Sequence, residues 1–241
     1  VDKKTHVEIL EPEISVRYLA DYMAGSERKR RSVVEGCKYR PIARLLQHKE
    51  ANIVVASAVL RGSIDPKTLK EKADFIRGKL SSDDFDALTN EANADFVNRF
   101  ADVAASINLP TGEFLPGKNF PVPLMHGVKI KFSPNLLIRR VNPKTNAPKV
   151  GSLMLRYSKG KPLPPLVGDY QAAAMFGLFC DIKDDLEGVP DKSLCLILDV
   201  QSGILYPAPG ASVSMFANMK AACATIAERW PNIPPPKGAV L

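Results

Sequence analysis

Apolar residues recur at helical spacing through the first half of the chain. Val16, Leu19, Ala20 and Met23 line one face of the segment from Ser15 to Ala24, the three-and-four-residue repeat of an amphipathic helix. Ala24-Gly25-Ser26 then breaks that helix and caps the next, since Gly suits the residue after a helix and Ser its N-cap. A short basic helix follows from Glu27 to Glu35, stopping at Gly36, and beyond Pro41 a longer one runs to Leu60. Asp65-Pro66 is a start signal, an Asp cap followed by Pro at the first helical position. That helix carries Leu69, Ala73, Ile76 and Leu80, and the next, from Ser81 or Ser82, spaces Phe85, Leu88, Ala92, Phe96, Val103 and Ile107.

The period then changes. Residues 109–127 are rich in Pro and Gly and read as a connection. Val128–Phe132 and Val150–Tyr157 alternate, and Leu136–Val141 is apolar and β-branched, so all three are expected strands. A helix capped by Asp169 is expected to reach Leu186. Leu194–Val200 and Ile204–Tyr206 read as strands, and Val213–Trp230 as a last helix. The expected fold class is α/β (α+β). A helical region over 1–108 and the connection over 109–127 precede a mixed-sheet domain over 128–232 and a Pro-rich tail over 233–241.

Composition narrows the class. The chain has 241 residues, 45% of them hydrophobic, which is enough for a substantial core. No apolar run approaches the roughly 18 residues of a membrane span. Cys37, Cys180, Cys195 and Cys223 are far apart, with no CxxC pair and no metal-ligand spacing, so the expectation is a cytoplasmic protein with reduced thiols and no bound cofactor or metal.

Charge is unevenly placed. Of the net +7, the 55 residues from Phe114 to Gly168 carry +10, with no Asp or Glu among them. Ser15 to Glu50 adds +5, leaving the remainder acidic. Such polarity attracts polyanions. The expected nucleic-acid contacts are Arg28, Lys29, Arg30, Arg31, Lys38, Arg40 and Arg44 from the first cluster. The second contributes Lys129, Lys131, Arg139, Arg140, Arg156, Lys159 and Lys161. Phe132 and Tyr157 read as packed side chains. Leu19 to Ser26 with the basic helix after it is similar to a helix-turn-helix, whose second helix enters a groove.

Three pieces between Gly127 and Tyr206 carry a further resemblance. Gly127-Val128-Lys129-Ile130-Lys131-Phe132-Ser133-Pro134-Asn135 looks like a strand delivering Pro-Asp. Val150-Gly151-Ser152-Leu153-Met154-Leu155-Arg156 looks like one delivering acid-x-Lys. Asp169-Tyr170-Gln171-Ala172-Ala173-Ala174-Met175 looks like a Gln-x-x-x-Tyr helix with Met in place of Tyr. Together they resemble the PD-(D/E)XK restriction-endonuclease-like superfamily, in its RecB-like and Cas4-like branch. The resemblance implies a nuclease scaffold whose carboxylates hold divalent metal. Here Asn135 replaces the Asp, while Ser152 and Met154 replace the acid and the Lys.

The expectation is therefore a non-catalytic nucleic-acid clamp or assembly subunit, in a bacterial defence or mobile-element setting. DNA or RNA would be its partner, with a protein assembly partner besides and no membrane. Two alternatives stand beside it. One is an active metal-dependent nuclease drawing acids from Glu91, Asp95, Asp169 or Asp199. The other is a basic adaptor docking an acidic protein.

Overall fold

A computed structural model of the chain describes residues 3–42, 48–141, 143 and 146–241. It is an α/β fold, as expected from the change of period. In chain order come β1 (His6–Glu8), β2 (Glu13–Ser15), α1 (Val16–Met23), α2 (Glu27–Lys38) and β3 (Tyr39–Pro41). Three helices follow, α3 (Lys49–Leu60), α4 (Pro66–Arg77) and α5 (Asp84–Val103). Then come β4 (Glu113–Pro116), β5 (Leu124–Met125), β6 (Val128–Lys131), β7 (Leu136–Val141) and β8 (Pro148–Arg156). Helix α6 (Pro165–Asp181), β9 (Val189–Asp199), β10 (Ile204–Pro207) and α7 (Ser212–Arg229) complete the order.

The central sheet has five strands in the order β10-β9-β8-β7-β4. Every neighbouring pair is antiparallel except β8 and β9, which run parallel and are joined by the α6 crossover. A parallel pair requires such a crossover, because a tight turn cannot return the chain to the same end of the sheet. Side chains alternate across the sheet. Leu136, Ile138, Leu153, Leu155, Leu196 and Leu198 face a core built with α3, α4 and α5. Cys195 and Ile197 face a second core built with α1, α2, α6 and α7.

Several boundaries differ from the sequence expectation. Residues 113–116, placed in the connection, form β4 and pair with β7 at the sheet edge. Residues 13–15, placed in the helical half, form β2 and pair parallel to β6. Both cores thus draw on both halves of the chain. Helix α2 passes Gly36 and reaches Lys38, because Cys37 and Lys38 are buried and hold the extra turn against the core. Helix α6 starts at Pro165 rather than after Asp169, with Pro at its first position. Strand β9 begins at Val189; its first residues carry no apolar period, and their pairing with Lys149 and Val150 defines the strand.

The tail from Ile233 has no regular structure and returns to the N-terminal segment, where Thr5 N–H donates to Val240 O at 2.9 Å. Among the described residues no helix is long and apolar enough to cross a membrane.

Candidate anion-binding cleft

Strands β8 and β9 end together, Arg156 standing in register with Asp199. Ligand sites in α/β sheets lie beyond the carboxyl ends of such parallel strands. A cleft of about 470 Å³ opens there, lined by residues of α1, the α1–α2 turn, the loop after β8 and the start of α6.

Arg156 forms its floor. Its side chain is about nine-tenths buried; Nη2 donates to Asp21 Oδ1 at 3.0 Å and Nη1 to Gln171 Oε1 at 3.1 Å. Burial and then the neighbouring Arg17 charge lower its pKa, and Asp21 opposes them. The loop behind it is shaped by Asp199, which is almost fully buried. Its carboxylate accepts from Leu163 N–H at 3.0 Å, Gln201 N–H at 3.1 Å and Ser202 Oγ at 2.5 Å. Tyr206 donates its hydroxyl to Leu163 O at 3.0 Å and pins the same loop.

The opposite wall comes from α1. Arg17 and Asp21 are four residues apart and therefore share a helix face, and that face lines the cleft. The turn into α2 must be tight there, since a Cβ on Gly25 would stand 2.8 Å from Asp21 O and 2.9 Å from Lys29 Cγ. Ser26 caps α2 as the sequence predicts, accepting from Lys29 N–H, and Ser15 caps α1, accepting from Tyr18 N–H. Arg17 and Asp21 were not among the expected contacts; the i, i+4 charge pair on an otherwise apolar helix was the available signal.

Most of the expected contacts are engaged elsewhere. Seven of the nine described cations between Phe114 and Gly168 pair with an acid from outside that segment. Lys129 pairs with Glu11, and Lys131 with Glu13 at 2.8 Å. Arg139 meets Glu113 at 2.8 Å and Glu187 at 3.1 Å. Arg140 lies 3.6 Å from Asp191, and Lys159 lies 2.5 Å from Asp95. The acid-free segment is thus largely neutralised across the fold, and the solvent-exposed pairs among them, such as Lys129–Glu11, add little stability.

The first cluster divides similarly. Lys38 is buried and donates to the Trp230, Pro231 and Ile233 carbonyls, so its ammonium faces the core and not a polyanion. Arg30 folds back onto the Tyr22 and Met23 carbonyls, closing the end of α1. Arg40 pairs with Glu13, and Arg31 lies 3.5 Å from Glu27. Arg28 and Lys29 are exposed, and Arg44 lies outside the described residues. Lys29 and Lys161 line the cleft, and neither they nor Arg17 have an acidic partner among the described residues. Phe132 and Tyr157 are both buried.

The positions that would form the nuclease site, Asn135, Ser152, Met154 and Gln171, lie within the fold. Asn135 Oδ1 accepts from Leu155 N–H at 2.8 Å, and its amide donates to Asn52 Oδ1 at 3.3 Å, tying the start of β7 to β8 and α3. Gln171 is fully buried, and its amide reaches Met154 Sδ at 3.6 Å. Ser152 is fully buried, and its hydroxyl has no hydrogen-bond partner among the described residues.

Of the alternative acids, Glu91 and Asp95 share Arg77, while Asp169 and Asp199 lie on other elements. Glu91 accepts from Arg77 Nε at 2.8 Å, and Asp95 serves Arg77 and Lys159. Asp169 lies on α6, its pKa raised by burial. Among the described residues no three His, Cys, Asp or Glu side chains are grouped to hold a metal ion.

A mixed-sheet α/β protein with a cationic cleft at its parallel strand ends is the class these features define. Compared with known families and with characterised proteins, the chain matches none.

Proposed function

We propose that this chain binds nucleic acid without cutting it, through the cleft and the exposed cations of α2. One observation carries the reading. Two basic stretches more than a hundred residues apart converge, so that Arg17 and Lys29 line one opening together with Arg156 and Lys161. Exposed Arg28 extends this track along α2. Cations without acidic partners are the groups that can release counterions when phosphates approach.

The nuclease-like scaffold is a proposal as well. The run β4-β7-β8 followed by a helical crossover to parallel β9 agrees with the resemblance drawn from the sequence. The metal which that resemblance implies does not fit the residues present. Asn135, Ser152 and Met154 offer no carboxylate, and Arg156 places a buried positive charge next to them. A clamp or assembly subunit is the role consistent with that chemistry.

The test is binding of labelled single-stranded DNA, duplex DNA and RNA at two salt concentrations, with and without Mg²⁺, followed by a denaturing gel. Intact strands and salt-sensitive binding are expected. Replacing Arg17, Lys29 and Lys161 together by Ala removes up to three phosphate contacts, and the slope of log affinity against log salt should fall by about 2 to 3. Metal-dependent fragments, or affinity that ignores this triple variant, would overturn the reading.

A further inference from the structure

The charge of the cleft is specific enough to name its ligand. Its charged lining consists of Arg17, Lys29, Arg156 and Lys161 against Asp21 and Asp199, which leaves two positive charges in excess. A phosphodiester carries one negative charge, whereas a phosphate monoester carries about 1.5 to 2 at neutral pH. Both carboxylates are already engaged, Asp21 by Arg156 and Asp199 by the loop donors, so neither is free to neutralise Arg17, Lys29 or Lys161.

The donor count agrees. A guanidinium has five N–H donors, and Arg156 uses one toward Asp21 and one toward Gln171. The others have no acceptor among the described residues, although the side chain is about nine-tenths buried. Among the described residues no Arg156 nitrogen is a buried atom left without a partner, so these donors open to the cleft. The Arg17 charge is felt at Arg156 as a lowered pKa, after the larger effect of burial. A doubly charged oxyanion would offset this crowding of positive charge, accepting from Arg156, Arg17 and Lys161. The volume of about 470 Å³ leaves room for the group that carries the phosphate, and half-exposed Leu166 gives that group an apolar wall.

Resting on the proposed function above, we infer that the cleft is a receptor for a phosphate monoester, either the terminal phosphate of a nucleic-acid strand or a small free phosphate ester. The Arg156–Gln171–Asp21 network positions the central guanidinium, and Arg17 and Lys161 supply the exposed contacts.

The experiment compares fluorescence anisotropy for one labelled oligonucleotide bearing a 5′-phosphate, a 3′-phosphate or hydroxyls at both ends. In parallel, the thermal midpoint is followed against inorganic phosphate, with chloride at equal ionic strength as the control. Both are repeated with Arg17→Ala and Lys161→Ala, two exposed side chains without acidic partners, whose unchanged circular dichroism would show that the fold is kept. A terminal phosphate should tighten binding by about tenfold, inorganic phosphate should compete, and both variants should abolish the difference.

If inorganic phosphate raises the midpoint through Arg17 and Lys161 but no strand binds, the inference stands with a free ester as ligand and the nucleic-acid reading falls. If strands bind through Arg28 and Lys29 alike whatever their ends, and phosphate neither competes nor stabilises, the inference falls and the nucleic-acid reading stands.

Discussion

Lys38 offers the sharpest separation of a structural cation from a binding one. Its ammonium donates to Trp230 O at 2.9 Å, Pro231 O at 3.2 Å and Ile233 O at 3.2 Å, with Glu8 3.4 Å away. Tyr39 adds a bond from its hydroxyl to Ile233 O, so two consecutive residues hold the segment that follows α7. Lys38→Met keeps the length and apolar stem and removes only the charge and donors. Hydrogen bonds to a charged group are each worth about 1.5–3 kcal/mol net. Met also escapes the cost of keeping an ammonium out of water, which is several kcal/mol, so the losses do not simply add. The two outer carbonyls are only partly buried and regain water once the segment loosens. A net loss of about 1–3 kcal/mol is expected, measured by urea denaturation. Faster amide exchange should appear over residues 230–241. The salt dependence of nucleic-acid binding, measured where the variant is still folded, should be unchanged. A loss below about 1 kcal/mol with unaltered exchange would refute the structural role, and a flatter salt slope would return Lys38 to the binding surface.

Three further outcomes test other parts of the structure. Gly177 sits inside α6, where a Cβ would lie 2.2 Å from the Phe216 ring on α7. Gly177→Ala gains about 1 kcal/mol in helix propensity but loses about 1–3 to overpacking, so the thermal midpoint should fall; a rise would show that the helices can part freely. Burial opposes ionisation of Asp191, yet Lys149 and Ser193 overcome it and hold the carboxyl at about 2. Because this folded value lies below the ordinary one, the associated stability is present above about pH 4 and is lost as pH falls through 2. Asp191→Asn should therefore cost about 2 kcal/mol at pH 7 and almost nothing near pH 2; a penalty independent of pH would contradict the ion pair. Finally, burial pushes the Cys37 and Cys223 thiols up to about 12 and raises Cys195 too, while Cys180 is exposed. A disulfide reagent at pH 8 should label one thiol in the native protein and four after denaturation.

The elements with a strong period were legible before any coordinates. The faces of α1, α4 and α5 follow from Leu19, Leu69, Ala73 and Phe96, all buried where the spacing puts them. The alternation over Val150–Tyr157 likewise marks β8 within a few residues. Short strands whose order depends on partners far along the chain were not legible, since nothing local in Glu13-Ile14-Ser15 requires parallel pairing with Lys129-Ile130-Lys131. Charge showed the same limit. The acid-free run from Phe114 to Gly168 is real in sequence, but Glu11, Glu13, Asp95 and Asp191 come to it from other segments. Net charge along a window measures composition, whereas a polyanion meets what remains after the fold has paired it. Lys29, Arg156 and Lys161 were named from sequence; their meeting in one cleft was not, because α1 had to be placed against α6 first.

The central sheet is a party wall. In β8, Leu153 and Leu155 belong to the core on one side, while Ser152, Met154 and Arg156 face the other, toward α6 and the cleft. Neither half of the chain owns a complete interior, so a cut after residue 108 should yield two fragments that stay unfolded apart. Inserting one residue into β8 would exchange the lining of both interiors at once. It would turn leucines toward the cleft and drive a guanidinium in among Phe96 and its neighbours. That strand can tolerate changes of side chain, but not of length.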